Sequence, residues 1–224
     1  YDNKSSQNKL VFKNELFNLP YSMELSKDNN KNKIFSKINL YFLKLKIDYE
    51  LDINNEIKKG SMDISLNNNK FNSTYTIYKN NFVFDLFDNL ENSDIFYNGK
   101  VNFSPFYSTL TGTLKEINVL YFLNSNSIIL QLLKTEILNN KNLNFDLNIY
   151  ANKSQNFSNF AKFYLNSKIH EGLIDIDNTK FSWRENVDFL LENSLLYVKD
   201  GELILDGKLR LNIKNYNEIY KFLQ

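Results

Sequence analysis

Hydrophobic and polar residues alternate along most of this chain, and the run "LKLKIDYELDI" shows the pattern without a slip. Its apolar positions are Leu43, Leu45, Ile47, Tyr49, Leu51 and Ile53, and every position between them is charged. Neighbouring side chains on a strand point to opposite faces, so the run predicts a strand with one apolar and one charged face. Eleven residues at about 3.4 Å each span roughly 37 Å, about twice the usual strand.

The glycines divide the alternating runs. Apolar residues stand two and four positions after each of five glycines, Gly60, Gly99, Gly172, Gly201 and Gly207. After Gly112 only the first of these two positions is apolar. We interpret each glycine as a turn residue that precedes an outgoing strand. Together with further alternating runs, such as residues 71–77, 143–151 and 187–191, they predict about ten strands. The fold class is mainly β, an antiparallel meander.

Two segments depart from the two-residue period. The stretch "SNSIILQLLKTEIL" places its apolar residues on one helical face, which predicts an amphipathic helix over residues 127–138. A second, short helix is predicted at residues 216–223. Residues 1–35 are more polar and predict a hairpin or a flexible start. Because no linker divides the chain, we expect residues 1–224 to form one β-rich domain.

Charge and composition exclude some classes of protein. Lys and Arg number 27 against 26 Asp and Glu, so no basic field favours nucleic acid as a partner. The chain contains no cysteine, and therefore no disulfide framework. No run of 18 apolar residues predicts a membrane-spanning helix. Because the chain starts at Tyr1, we expect it to be a piece of a longer protein.

Candidate chemistry is sparse. His170 is the sole histidine, so with no cysteine the chain lacks the usual ligands of a zinc site. We expect a structural or solvent-exposed role for it, because catalysis needs several convergent groups. Phosphate-binding, dinucleotide-binding and serine-hydrolase motifs are absent. The sequence therefore predicts no enzyme activity, no catalytic residue, no metal and no cofactor.

An ordered series of segments resembles the AsmA-like family of bacterial envelope proteins, the group related to TamB. The series runs from "YNGKVNFSPFY" through the predicted helix "IILQLLKTEIL" to "NNKNLNFDLNI", "IHEGLIDIDNTKFSW" and "LILDGKLRLNIKNYNEIYKFLQ". It covers residues 97–224, and residues 34–96 follow more loosely. The chain departs from the family in its shorter length and in having no N-terminal membrane helix.

The resemblance implies an extended, curved, half-open sheet with an apolar groove. Such proteins are anchored in the inner membrane, project into the periplasm and carry phospholipid acyl chains towards the outer membrane. It implies no enzyme activity, and the anchor would lie outside this chain. The candidate groove residues are Leu43, Leu45, Ile47, Tyr49, Leu51 and Ile53, with Leu209, Leu211 and Ile213 on a strand beside them.

Two other architectures fit parts of the pattern. A closed β-sandwich, in a binding or structural domain of an envelope or surface protein, would cover every apolar face from within. A transmembrane barrel also uses long alternating strands, but only residues 43–53 are long enough, and a barrel has no evident use for the mid-chain helix. Whether the apolar face is an open groove or is covered by that helix is left open by the sequence.

Overall fold

A computed structural model describes residues 8–16, 19–28, 32–42, 44–52, 56–66, 69–88, 94–118, 142–155, 157, 159–170, 173–200 and 202–224. These residues form two compact units. Unit 1 comprises residues 1–93 and 98–104, and unit 2 comprises residues 94–97 and 105–224. Strands dominate both units, which confirms the mainly β fold class.

Unit 1 is built from antiparallel strands in chain order. The strands are β1 (Asn8–Leu16), β2 (Leu19–Asp28), β3 (Lys33–Leu40), β4 (Leu45–Asp52), β5 (Lys58–Leu66), β6 (Asn69–Tyr78) and β7 (Asn81–Phe87), and β8 (Ile95–Phe103) contributes its second half. Each of β1 to β6 pairs with the strand that follows it. The pairing of β1 with β2 agrees with the hairpin predicted at the start of the chain.

Unit 2 contains the remaining strands and one helix. They are β9 (Phe106–Ile117), β10 (Phe145–Ser154), β11 (Phe160–His170), β12 (Leu173–Asp175), β13 (Lys180–Trp183), β14 (Val187–Lys199), β15 (Glu202–Ile213) and α1 (Tyr216–Leu223). The hydrogen-bonded order is chain order from β1 to β12, followed by β14 and β13, and β15 pairs with β14. The meander is thus confirmed, with fifteen strands where the sequence predicted about ten.

One strand pair departs from the predicted antiparallel pattern. β9 and β10 run parallel, with Ser108 opposite Phe145 and Leu114 opposite Ala151. Parallel neighbours need a crossover of a dozen or more residues, and residues 118–144 supply that length. The helix predicted at residues 127–138 falls in this connection, outside the described residues, and stays a prediction.

Strand β4 starts later than the alternation predicts. Lys44 adopts a left-handed backbone with φ of 48°, and its N–H donates to the carbonyl of Tyr41 at 3.1 Å. The strand therefore begins at Leu45 and ends at Asp52, a length of eight residues. Leu43 and Ile53, the ends of the predicted run, lie outside the described residues.

The interpretation of the glycines as turn residues is wrong for every glycine that the structure describes. Gly60, Gly99, Gly112 and Gly207 lie inside β5, β8, β9 and β15. A Cβ at Gly60 would lie 2.5 Å from Tyr75 Oη, one at Gly99 2.8 Å from a Phe84 ring carbon, and one at Gly112 2.6 Å from a Tyr97 ring carbon. At Gly99 and Gly112 glycine is required because an aromatic ring covers the backbone, and at Gly60 the Glu50 carbonyl oxygen, as well as the Tyr75 ring, excludes a Cβ.

Helix α1 is confirmed at the residues predicted. Asn215 precedes it with an extended backbone, and its side chain accepts a hydrogen bond from the Glu218 N–H. Glu218 in the first turn and Lys221 in the last turn complement the helix dipole. No helix among the described residues is long and apolar enough to cross a membrane.

The buried core lies in unit 2. One cluster joins Leu114, Ile117, Ile149 and Ala151, and a second joins Ile169, Ile174 and Ile176. By contrast, Met62 and Tyr75 are the buried apolar side chains in the described part of unit 1.

Candidate functional site

Strand register gathers the apolar side chains of unit 1 into rows that cross the strands. One row joins Phe12, Met23, Ile38, Ile47, Ile64 and Phe71. The next joins Leu10, Leu25, Ser36, Tyr49, Met62, Ser73 and Leu86. Flanking rows hold Tyr21, Leu40 and Leu45 on one side, and Ile34, Leu51, Gly60, Tyr75 and Phe84 on the other. These rows are called the apolar face of unit 1.

The apolar face of unit 1 is only partly shielded from solvent. Leu45, Ile47, Tyr49 and Leu51 are all half-buried on β4, although the strand is flanked by β3 and β5. Towards β1 the face is more open, with Leu10 54% and Phe12 42% exposed. Side chains in a closed core are far less exposed than this. The face is therefore buried at Met62 and Tyr75, half-buried on β4 and open to solvent towards β1.

Aromatic rings line one end of the apolar face of unit 1. The centroids of Tyr49 and Tyr75 are 6.3 Å apart, those of Tyr75 and Phe82 5.5 Å, and those of Phe82 and Phe84 5.4 Å. Tyr75 Oη donates a hydrogen bond to the carbonyl of Glu50 at 2.5 Å, and burial raises the pKa of Tyr75 to about 12. These contacts hold the rings over backbone positions at which glycine, having no Cβ, leaves room for them.

The opposite face of unit 1 is charged. Lys9 Nζ lies 2.9 Å from Glu24 Oε2, and Lys46 Nζ lies 2.8 Å from Asp48 Oδ2. The hydrogen bond from Lys9 lowers the pKa of Glu24, and the one to Asp48 raises the pKa of Lys46. Cations and carboxylates thus alternate on a solvated surface, as the sequence predicted for this parity.

Unit 2 carries a separate apolar surface that the sequence did not single out. The rings of Phe157, Phe160, Phe181 and Phe189 form a chain of contacts, with centroids 5.9 Å apart for the first pair and 5.6 Å for Phe160 and Phe181. Phe181 and Phe189 stack at 4.7 Å. This group is called the phenylalanine cluster. In the sequence, the alternation of apolar and polar residues in "KFSW" and "VDFLL" was the feature that could have placed Phe181 and Phe189 on an apolar face.

Two cavities of about 320 Å³ each open beside the phenylalanine cluster. The lining of one is almost wholly apolar and consists of Ser154, Phe157, Phe160, Ala161, Phe163 and Phe181. The other is lined by Phe160, Trp183, Val187, Phe189, Leu211, Ile213 and Ile219. Two predicted groove residues, Leu211 and Ile213, therefore border a cavity that helix α1 helps to form.

The structure divides the predicted groove residues between the two units. Leu45, Ile47, Tyr49 and Leu51 share one face of β4, whose hydrogen-bonded neighbours are β3 and β5. Leu209, Leu211 and Ile213 share one face of β15, which pairs with β14. β4 and β15 are therefore not hydrogen-bonded neighbours, and the grouping of these residues into one groove stays a prediction.

The polar side of unit 2 brings His170 to a carboxylate. Asp146 accepts a hydrogen bond from His170 Nε2 at 2.8 Å and another from Tyr107 Oη at 2.5 Å. The bond to Asp146 raises the pKa of Tyr107 to about 12. The three side chains can share and orient protons, but no apolar or anionic pocket adjoins them in the described cavities. In the described part of the chain, no group of three His, Cys, Asp or Glu residues could hold a metal.

The apolar surfaces are therefore the candidate site. Comparison with protein-family models, with curated proteins and with solved structures finds no match for this chain.

Proposed function

We propose that this chain is a segment of a groove-forming envelope protein, which binds phospholipid acyl chains and passes them between bacterial membranes. The observation that carries the proposal is the apolar face of unit 1, where apolar rows run across successive strands opposite a charged face and are half-buried on β4 and exposed on β1. A protein that kept this face for its own core would bury it more deeply.

The dimensions of the face suit an acyl chain. Strands in a sheet are about 4.8 Å apart, so the six-strand row from Phe12 to Phe71 spans roughly 24 Å. The hydrocarbon core of a bilayer is about 30 Å thick, so one leaflet contributes roughly 15 Å. A row is therefore long enough to take the acyl chain of one leaflet along its length.

The mechanism we propose is passive. Burial of apolar surface contributes about 25 cal/mol per Å², so lipid tails gain free energy on the apolar rows at each step. Apolar side chains predominate in every row, so a lipid tail meets apolar surface at each position on the face. The head group stays in solvent, and no bond is made or broken. The proposal therefore assigns no catalytic residue, cofactor or metal to the chain.

The sequence resemblance to the AsmA-like family supports the cellular setting of the proposal. In that setting the protein works in the periplasm of a Gram-negative-type bacterium, where it contributes to outer-membrane biogenesis. In the same setting the full-length protein is anchored in the inner membrane. Phospholipid is then the partner of the apolar face, and nucleic acid is not a partner.

Site-specific photo-crosslinking tests the proposal. Benzoylphenylalanine replaces Tyr49 on the apolar face or Lys46 on the charged face of the same strand. Each purified full-length chain is incubated with vesicles of phosphatidylethanolamine and phosphatidylglycerol that carry radiolabelled acyl chains, and is then irradiated. We expect label on the position 49 variant and little on the position 46 variant, because only one parity of β4 contacts the tails.

Equal labelling at both positions, or none at position 49 in a folded protein, would contradict the proposal. Circular dichroism and a thermal melt on each variant establish that the chain is folded. A second measurement uses Ile47→Asn and Lys46→Asn, which place the same residue on opposite faces. Uptake of a fluorescent fatty acid should fall for Ile47→Asn alone. A chain that never takes up the probe would favour the closed sandwich.

A further inference from the structure

Strand β15 forms an edge that offers a long row of backbone groups. It pairs with β14 from Glu202 to Ile213, and β14 is its only strand partner in the described part of the chain. Backbone N–H and C=O groups on the other side of an edge strand can pair with a further strand. At twelve residues β15 is among the longest strands of the protein.

One face of β15 carries exposed leucines beside this edge. Leu205, Leu209 and Leu211 share one face, and each is 52% or 53% exposed. Natural edges are commonly blunted by repeated Lys, by proline or by bulges. In β15 the bulge lies on the partner strand, between Glu192 and Leu195, and β15 itself contains no proline.

The charges of β15 are separated along its length. On the face opposite the leucines, Glu202 and Asp206 lie in the first half of the strand. Lys208 and Arg210 lie in the second half, and Lys214 follows directly after it. A strand whose acidic half precedes its basic half is complementary to itself in the antiparallel direction, because reversal brings each half opposite the other.

One register satisfies both faces at once. When Lys208 lies opposite Lys208 of a second copy, Asp206 is opposite Arg210, and Glu202 is opposite Lys214. On the other face, Leu205 is then opposite Leu211, and Gly207 is opposite Leu209. Twofold symmetry gives each of these contacts twice, so four opposite-charge pairs accompany the single like-charge pair on the axis.

Neighbouring registers are less favourable. Moving the axis to Gly207 keeps Asp206 opposite Lys208 but places Ile204 opposite Arg210. Moving it to Leu209 places Lys208 opposite Arg210, which sets like charges against each other twice. Because side chains alternate between faces, a shift by a single residue would set leucines against charged residues.

We propose that β15 is a self-recognition edge, through which two copies of this chain pair antiparallel around a twofold axis at Lys208. The resulting interface is isologous, with each strand giving and receiving the same contacts. Arg210 and Lys214 already contact Glu192 and Asp188 in their own chain, at 3.0 and 2.6 Å. Their side chains are 66% and 48% exposed, which leaves N–H donors free to contact the second copy. This inference is independent of the proposed lipid function.

The absence of cysteine from the chain makes a direct test available. Lys208→Cys places one thiol on the axis, where directly opposite Cβ atoms are about 4.5–5.5 Å apart and a disulfide is within reach. Under mild oxidation we expect a covalent dimer of the full chain, formed at least about tenfold faster than from Asp63→Cys. Asp63 is exposed in the middle of unit 1, on β5, and serves as the matched control.

Charge reversal tests the register by sedimentation equilibrium of the cysteine-free chain. Asp206→Arg converts two opposite-charge contacts into like-charge contacts, and should weaken the dimer about tenfold. Adding Arg210→Asp to it should restore most of the affinity, because the pair is then exchanged. Lys208→Gln should strengthen the dimer by removing the repulsion on the axis.

Three results would overturn the proposal. One is a monomer at high micromolar concentration, and another is disulfide formation by Lys208→Cys no faster than by the control. The third is a ladder of larger oligomers, which would mean that β15 pairs with a different edge. Circular dichroism on each variant separates lost pairing from lost folding.

Discussion

The contact between Gly99 and Phe84 allows a sharp test of why the strand glycines are there. A Cβ at Gly99 would lie 2.8 Å from one carbon of the Phe84 ring and closer still to two others. Gly99→Ala must therefore displace the ring, at a cost of about 1–3 kcal/mol in the free energy of unfolding. Phe84→Ala removes a half-buried ring, at a cost of about 2–3 kcal/mol.

The double variant should be more stable than the sum of the two costs predicts. Once the Phe84 ring is gone, the methyl group that Gly99→Ala introduces meets none of the three atoms it would otherwise contact. Alanine also restricts the unfolded chain, which stabilises the fold by about 0.4–1 kcal/mol where the backbone tolerates it. We therefore expect a coupling free energy of about 1–3 kcal/mol between the two substitutions.

Urea unfolding followed by circular dichroism measures all four members of this cycle. Gly60→Ala with Tyr75→Ala is the comparison, because a Cβ at Gly60 also overlaps the Glu50 carbonyl oxygen. That backbone contact survives removal of the ring, so Gly60→Ala should stay destabilising in the double variant. If the Gly99 and Phe84 effects are additive within about 0.5 kcal/mol, ring coverage is not the reason for glycine at position 99.

Three further predictions concern single side chains. The Ser36 hydroxyl is buried without a hydrogen-bond partner among the described residues, so Ser36→Ala should stabilise the chain by about 1 kcal/mol in urea unfolding, and a loss would contradict this. The pKa of Tyr107 is raised to about 12, so the neutral Tyr107 side chain stabilises the folded state. This stabilisation is complete below about pH 10 and is lost as the pH rises towards 12. Tyr107→Phe should therefore flatten the loss of stability between about pH 10 and 12, and an unchanged pH profile would argue against the Asp146 contact. Asn215→Ala should destabilise helix α1 by about 1 kcal/mol and speed hydrogen exchange of the Glu218 amide, and unchanged exchange would mean that the cap contributes nothing.

The alternation of hydrophobic and polar residues was sufficient to predict most of the strands. It placed Leu45, Ile47, Tyr49 and Leu51 on one face of one strand, because that inference needs only the period of a strand. Helix α1 was also predictable, since Asn215 and the first-turn Glu218 are local signals. Both depend on residues near each other in the chain.

The features that the sequence analysis missed depend on register. A glycine under an aromatic ring and a glycine in a turn have the same local sequence, since both precede an alternating strand. Tyr75, Phe84 and Tyr97 each lie fifteen residues from the glycine that they cover, so only strand pairing reveals the contact. The parallel pairing of β9 with β10 was missed for the same reason.

The candidate site was predicted only in part. Burial within unit 1 depends on what covers the sheet, which alternation alone does not determine. The phenylalanine cluster draws on β11, β13 and β14 and on Phe157, so its members are close in space but scattered in sequence. That β4 and β15 are not hydrogen-bonded neighbours could likewise be seen only once the strand order was known.

The parallel pair also has a consequence for the order of folding. In unit 1 each strand from β1 to β6 meets its next neighbour through a short hairpin, so pairing can begin as soon as the second strand leaves the ribosome. β9 cannot pair with β10 until residues 118–144 have also been synthesised. During that time the β9 edge is unsatisfied, and the nascent chain is exposed there to mispairing and to chaperone binding.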